Sequence, residues 1–197
     1  MNIAVFASHG GSDLQAIIDG CKSNKINANV VCVISNNGDS MALQRAEKES
    51  IPSYHLSAKK CGDEELLAIE LLKVLSNHSV DMIFLAGYMR MLHVSVLKEY
   101  NNRIFNIHPA LLPKFGGKGM FGMNVHNAVI AAGEKETGVT IHRVSAEYDS
   151  GEIVAQTSVP VEESDTAEIL AARVLEREHT FLVEVISDIC ENKIKLG

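Results

Sequence analysis

Residues 103–113 read Arg-Ile-Phe-Asn-Ile-His-Pro-Ala-Leu-Leu-Pro, and this stretch leaves the chain few ways to fold. A short apolar run that meets proline is a strand with a fixed end, because proline brings no N–H to the ladder. Side chains alternate along a strand, so Ile104, Asn106 and His108 take one side while Phe105 and Ile107 take the other. Two polar groups therefore share one face of an apolar strand, at the C-terminal end where open α/β sheets hold their ligands. An amide beside an imidazole suits a carbonyl that must become an oxyanion, and an imidazole titrates near neutrality. Taken singly, His108 reads as a structural histidine and Asn106 as a turn-capping amide. Together on one face they favour chemistry.

The rest of the chain alternates short apolar runs with amphipathic stretches. Residues 2–8 predict a first strand that runs into Ser8-His-Gly-Gly-Ser-Asp13, followed by a helix with Leu14, Ile17, Ile18 and Cys21 on one face. Strand, glycine turn and helix aim backbone N–H groups at an anion. The turn is neither the dinucleotide GxGxxG nor a Walker loop, which favours a small phosphate; locally, a plain glycine turn explains it as well. Further strands are predicted at 30–35, 51–56 (shortened by Pro52) and 81–85, with helices at 41–49 and 64–76. With the 104–108 strand this alternation predicts an α/β fold, a doubly wound and mostly parallel sheet with flanking helices.

Beyond residue 108 the pattern changes. Residues 114–123 hold four glycines and Lys118, which predicts a flexible surface loop or lid. A short helix at 125–132 precedes an open-faced strand at 138–144, which is expected to pair antiparallel with a strand at 153–161. Asp165-Thr-Ala-Glu168 has capping-box spacing and opens a last helix running to about residue 191. The expected organisation is one domain over 1–197, with a Rossmann-like phosphate-binding half (1–100) and a catalytic half (101–197).

Composition narrows the function classes. The net charge of −7 argues against nonspecific nucleic-acid binding, and no apolar run approaches a membrane span. The N-terminus lacks a basic n-region and reads as a strand, not a signal peptide. Cys21, Cys32, Cys61 and Cys190 are scattered without a CxxC pair, and the histidines show neither HxH nor HxxxH spacing. A cytoplasmic protein without a bound metal is expected, acting on small molecules. Nothing in the pattern decides between monomer and homodimer.

Three further residues carry candidate chemistry. Asp149, in the turn Glu147-Tyr-Asp-Ser-Gly151, is the candidate carboxylate partner of His108, expected to keep its imidazole protonated to stabilise an oxyanion, although locally it is also just a turn. Glu178 falls in helical phase with Leu175 and Leu182 on an apolar face. A carboxylate there is costly unless a site or an ion pair to Arg173 or Arg177 accounts for it. His142 and His126, with Thr140, are candidates to support the reacting groups.

Around Asn106-Ile-His-Pro-Ala-Leu-Leu-Pro113 the sequence resembles the folate-dependent formyltransferases, in particular the branch acting on glycinamide ribonucleotide. The likeness covers nearly the whole chain. Gly11-Ser-Asp-Leu-Gln-Ala16, Leu85-Ala-Gly-Tyr-Met-Arg90, Gly138-Val-Thr-Ile-His142, Asp149-Ser-Gly151 and Glu178-His179 carry it. The resemblance implies 10-formyltetrahydrofolate as formyl donor and a glycinamide ribonucleotide acceptor. It implies catalytic roles for Asn106, His108 and Asp149. Gly11, Ser12, Asp13, Gly87 and Glu178 are implied to bind the ribonucleotide. Met89, Arg90, Met91 and Leu92 are implied to bind the folate, with Asn106 and the turn Ser145, Ala146, Glu147, Tyr148 and Asp149. It also implies a cis Leu112–Pro113 bond. The chain departs from the family pattern at Asp13, where asparagine is usual, at Leu175, where a glutamine can occur, and in the length of loop 114–123. The alternatives are a formyltransferase with another acceptor such as methionyl-tRNA, a formyltetrahydrofolate deformylase, and a noncatalytic folate- or nucleotide-binding module.

Overall fold

The computed structural model describes residues 1–196. In chain order the elements are β1 (Asn2–Phe6), α1 (Ser12–Lys22), β2 (Asn29–Ser35), α2 (Met41–Lys48), β3 (Ser53–His55), α3 (Ala58–Cys61) and α4 (Glu64–Asn77). They continue as β4 (Met82–Leu85), α5 (Val94–Glu99), β5 (Ile104–His108), α6 (Met123–Ala131), β6 (Glu136–Arg143), β7 (Ile153–Pro160) and α7 (Ala167–Cys190). The strands form one sheet in the order β3-β2-β1-β4-β5-β6-β7. The first five pair in parallel, and β5–β6 and β6–β7 pair antiparallel.

Strand alternation divides the core between the two faces. Ile3, Val5, Phe84 and Phe105 face one side with α1 and α7, while Ala4, Phe6, Ile83 and Ile104 face the other with α4 and α5. With both faces covered, residues 3–6 of β1 and 82–85 of β4 are all apolar, as a buried parallel sheet requires.

Several boundaries differ from expectation. β3 is only three residues long, because Pro52 lies just before it. The short helices α3 and α5 lack the length for a periodic signal. The strand predicted to be open-faced is buried on both sides: Val139, Thr140 and Ile141 are fully enclosed and His142 nearly so. Its polar residues face other polar residues at the site, not water. The last helix is capped by Thr166, whose side chain accepts from the Ile169 N–H, and not by Asp165. Asp165 instead makes a two-pronged pair with Arg173 at 2.6 and 2.8 Å.

Candidate active site

Asn106 and His108 stand together at the carboxyl end of β5. Antiparallel pairing sets Asn106 opposite His142 and His108 opposite Thr140, so four polar side chains share one face. The His108 Nε2–H donates to the Phe115 carbonyl at 2.8 Å. Its Nδ1 lies 3.7 Å from Asp149 Oδ2, within ion-pair range but too long for a hydrogen bond. The His142 Nδ1–H donates to the Arg143 carbonyl at 2.8 Å, which leaves Nε2 to accept from the Asn106 amide at 3.0 Å. That bond fixes which way the Asn106 amide points.

Asp149 reaches the site from the β6–β7 turn with φ at 52°, a left-handed conformation uncommon for a side-chain-bearing residue. Its Oδ2 accepts the Gly117 N–H at 2.8 Å, and its Oδ1 lies 3.5 Å from His142 Nε2. Gly151 closes the turn, where any Cβ would strike the Arg143 carbonyl. The start of loop 114–123 was expected to be a free surface loop. It is pinned instead, through Phe115 to His108 and through Gly117 to Asp149.

Thr140 organises the turn that follows β5. Its hydroxyl donates to the Ala110 carbonyl at 2.6 Å and accepts from the Leu112 N–H at 3.1 Å and the Gln156 amide at 2.8 Å. The Leu112–Pro113 bond in this turn is cis, as the resemblance implied.

Burial decides the shift of His108 but not that of Asp149. It lowers the His108 pKa, and the nearby Asp149 carboxylate only partly opposes this. Burial pushes Asp149 upward, but the nearness of His142, the hydrogen bond from the Gly117 N–H and the nearness of His108 outweigh it and hold the carboxyl below its ordinary value. At neutral pH the resting state is a neutral imidazole facing a carboxylate. This corrects the expectation that Asp149 alone would keep His108 charged.

A second cluster lies at the same sheet edge, two strands away. Gly11 caps α1 with φ at 67°, and a Cβ there would sit 2.9 Å from the Ala42 Cα. No side chain caps the helix, so its first-turn N–H groups face outward toward a potential anion. Ser8 ties this loop to the end of β4: its N–H donates to the Gly87 carbonyl at 3.0 Å, and its hydroxyl accepts from the Met89 N–H at 2.8 Å. Asp13 and Glu178 are both buried beside His179, with Asp13 Oδ1 3.4 Å from His179 Nε2. Glu178 pairs with neither expected arginine, since Arg173 holds Asp165 and Arg177 holds Glu184.

Met89, Arg90 and Met91 stand exposed beside Gly87, whereas Leu92 packs into the core under α4 and α5. Ala146, Glu147 and Tyr148 are exposed on the β6–β7 turn, and Ser145 bonds Ser150 across it. Four contributors escaped sequence reasoning. The Phe115 carbonyl and Gly117 N–H are backbone groups and leave no side-chain signal. Ser8 was readable only as the polar residue that ends the first apolar run. His179 appeared in a motif, but its i+1 position beside Glu178 did not reveal that it reaches α1.

Residues 1–186 match the family model described as "Formyl transferase", and the chain belongs to that family. It is 44% identical to a chloroplastic phosphoribosylglycinamide formyltransferase of Arabidopsis thaliana, over 98% of this chain and 66% of the relative. It is 37% identical to the phosphoribosylglycinamide formyltransferase of Escherichia coli, over 100% of this chain and 90% of that one. The chain thus spans just under two thirds of the plant relative's length. The crystal structure of phosphoribosylglycinamide formyltransferase from Bacillus halodurans superposes with a TM-score of 0.90 at 33% identity, covering 98% of this chain and 97% of that one.

Proposed function

We propose that this protein transfers the formyl group of 10-formyltetrahydrofolate to the primary amine of glycinamide ribonucleotide, the step of purine synthesis named in its relatives. The observation that carries the reading is Asn106 and His108 on one polar face of β5, with Asp149 3.7 Å from His108, in a chain of this family. The amine nitrogen bonds to the formyl carbon while the bond from that carbon to folate N10 breaks. One proton leaves the amine and ends on N10. The free N–H of the Asn106 amide and the Nδ1–H that His108 gains from the attacking amine hydrogen-bond the oxyanion. Asp149 offsets the imidazolium as it forms, and His108 then returns the proton to N10.

The α1 N-terminus with Gly11, Ser12 and Asp13 takes the acceptor's phosphate, and Gly87 and Glu178 complete the ribonucleotide site. Met89–Leu92 and Ser145–Asp149 hold the folate, with Leu92 acting as a backing residue and not as a contact surface. The cysteines are free, which suits a reducing cytoplasm. The test is loss of the formyl group from 10-formyltetrahydrofolate, with and without glycinamide ribonucleotide. Acceptor-dependent transfer is expected. Equal loss without acceptor would replace this reading with hydrolysis, and no loss in either case would leave a binding module.

A further inference from the structure

The carbonyl that orients the His108 ring belongs to Phe115, seven residues further along the chain, so the turn between them decides where that carbonyl stands. The far end of the turn is anchored: the Phe115 ring packs against the main core, and the Gly117 N–H reaches Asp149. The middle is not packed solid. A cavity of about 290 Å³ lies against it, lined by residues 111–115 with Glu134, Glu136 and Thr137. The Lys114–Glu134 ion pair at 2.8 Å crosses from the turn to the end of α6, but its lysine is 67% exposed, and such a pair contributes little.

Hydrogen bonds from the edge strand clamp this middle section instead. Gln156 of β7 stands opposite Thr140 in the β6–β7 ladder. Its Nε2 donates to the Leu112 carbonyl at 3.0 Å and to the Thr140 hydroxyl at 2.8 Å. A carbonyl only accepts, so the NH2 end of the amide must face the turn, and both of its protons are used. The Thr140 oxygen accepts one bond from Gln156 and one from the Leu112 N–H, which leaves its single proton for the Ala110 carbonyl. Gln156 thus sets the direction of the Thr140 hydroxyl. Between them the two side chains bind both polar groups of Leu112.

We propose that Gln156 is a positioning residue for the formyl transfer: its amide clamps the turn at Leu112, which keeps the Phe115 carbonyl against His108 and the imidazole proton on Nε2. The inference rests on the role proposed above for His108 and deepens it. Two acceptors compete for that ring proton. The Phe115 carbonyl takes it from Nε2 at 2.8 Å, while Asp149 Oδ2 stands 3.7 Å from Nδ1. When the turn relaxes, the carboxylate becomes the better acceptor, and the neutral ring carries its proton on Nδ1. Nδ1 is the nitrogen that receives the proton of the attacking amine, so in that tautomer it has no lone pair to offer. β7 lies at the sheet edge and supplies no group to either substrate site, yet through Gln156 it acts on the reacting imidazole.

The test uses two variants. Gln156→Leu removes both N–H donors at similar bulk, and Gln156→Glu keeps the length and, when ionised, donates nothing. With 10-formyltetrahydrofolate and glycinamide ribonucleotide, kcat should fall by about 10–100-fold in each, with both KM values within about twofold of wild type. Nitrogen-15 NMR of histidine-labelled protein at pH 8, where the imidazole is neutral, reads the tautomer without turnover. The His108 signals, assigned by their loss in His108→Gln, should show the proton on Nε2 in wild type and a shift toward Nδ1 in both variants. A substitution that only weakens the fold would lower Tm and leave the tautomer unchanged. The inference is overturned by a kcat close to wild type, or by a lowered kcat with the proton still on Nε2. A wild-type His108 protonated on Nδ1 overturns it with no variant needed. Absence of transfer by the wild type overturns the proposed function instead, and the tautomer shift still decides whether Gln156 sets the ring.

Discussion

Asp149 Oδ2 stands 3.7 Å from His108 Nδ1 and accepts the Gly117 N–H at 2.8 Å, so one carboxyl oxygen faces both the reacting imidazole and the glycine loop. The carboxylate serves as counter-charge and as anchor. Asp149→Asn should therefore lower kcat and also loosen loop 114–123. Steady-state kinetics and hydrogen exchange at Gly117 would show both effects. An unchanged kcat would remove Asp149 from the mechanism.

The Asn106 amide is aimed by His142, and in the proposed transfer it meets the oxyanion. Asn106→Ala should reduce kcat by about 10²–10³, with a much smaller change in either KM. Turnover within a few fold of wild type would refute the assignment.

Thr140 is fully buried and its hydroxyl serves three backbone or amide partners. Thr140→Val keeps the shape and removes the hydroxyl, leaving the Leu112 N–H and Ala110 carbonyl without that partner. A loss of about 1–3 kcal/mol per stranded group is expected in urea titration, with reduced kcat because the turn after His108 loosens. A stability change below about 0.5 kcal/mol would show that the hydroxyl is not the organising group.

Gly151 abuts the Arg143 carbonyl, which is backbone and cannot swing aside. Gly151→Ala should force the β6–β7 turn open at a cost of about 1–3 kcal/mol and displace Asp149 with it. Thermal melting and kcat should fall together. A stable variant with normal turnover would mean the turn adapts.

Acid should weaken the fold in two stages. Burial holds His108 and His126 below the ordinary imidazole value of 6.5, so between the folded and unfolded values the unfolded chain binds more protons. Their contribution is present above pH 6.5 and is lost as pH falls through the folded values. Asp149, lowered from 3.8, has the same sign: its contribution is present above that value and lost as pH falls through the depressed one. Asp13 and Glu178, both raised, act oppositely. The first stage is therefore read as the difference in Tm between wild type and His126→Gln, which should shrink from pH 7 to 5. A constant difference would rule out His126 as a contributor.

Much of this was legible because apolar strands and amphipathic helices write their periods directly into sequence. Ile104 to His108 announced both a strand and its reactive face, and Glu178 stood out as a carboxylate in apolar phase. What was not legible depends on contacts distant in the chain. The polar residues Thr140 and His142 suggested a wet face, since nothing local shows that β5 and the turn cover them. Asp165 had the spacing of a cap, but Arg173 eight residues on competes for it and leaves the cap to Thr166. The balance that keeps His108 neutral depends on burial, which no short motif records.

The strand order has a consequence for what the protein can accept. The α1 N-terminus follows β1, and the groups proposed to react end β5, with only β4 between them. Two inter-strand steps of roughly 4.8 Å separate the two ends of the site, about 10 Å in all. The hydrogen-bond spacing of the sheet thus acts as a ruler. An acceptor whose amine lies much nearer to or farther from its phosphate would dock at one end and miss the other, whatever its chemical groups.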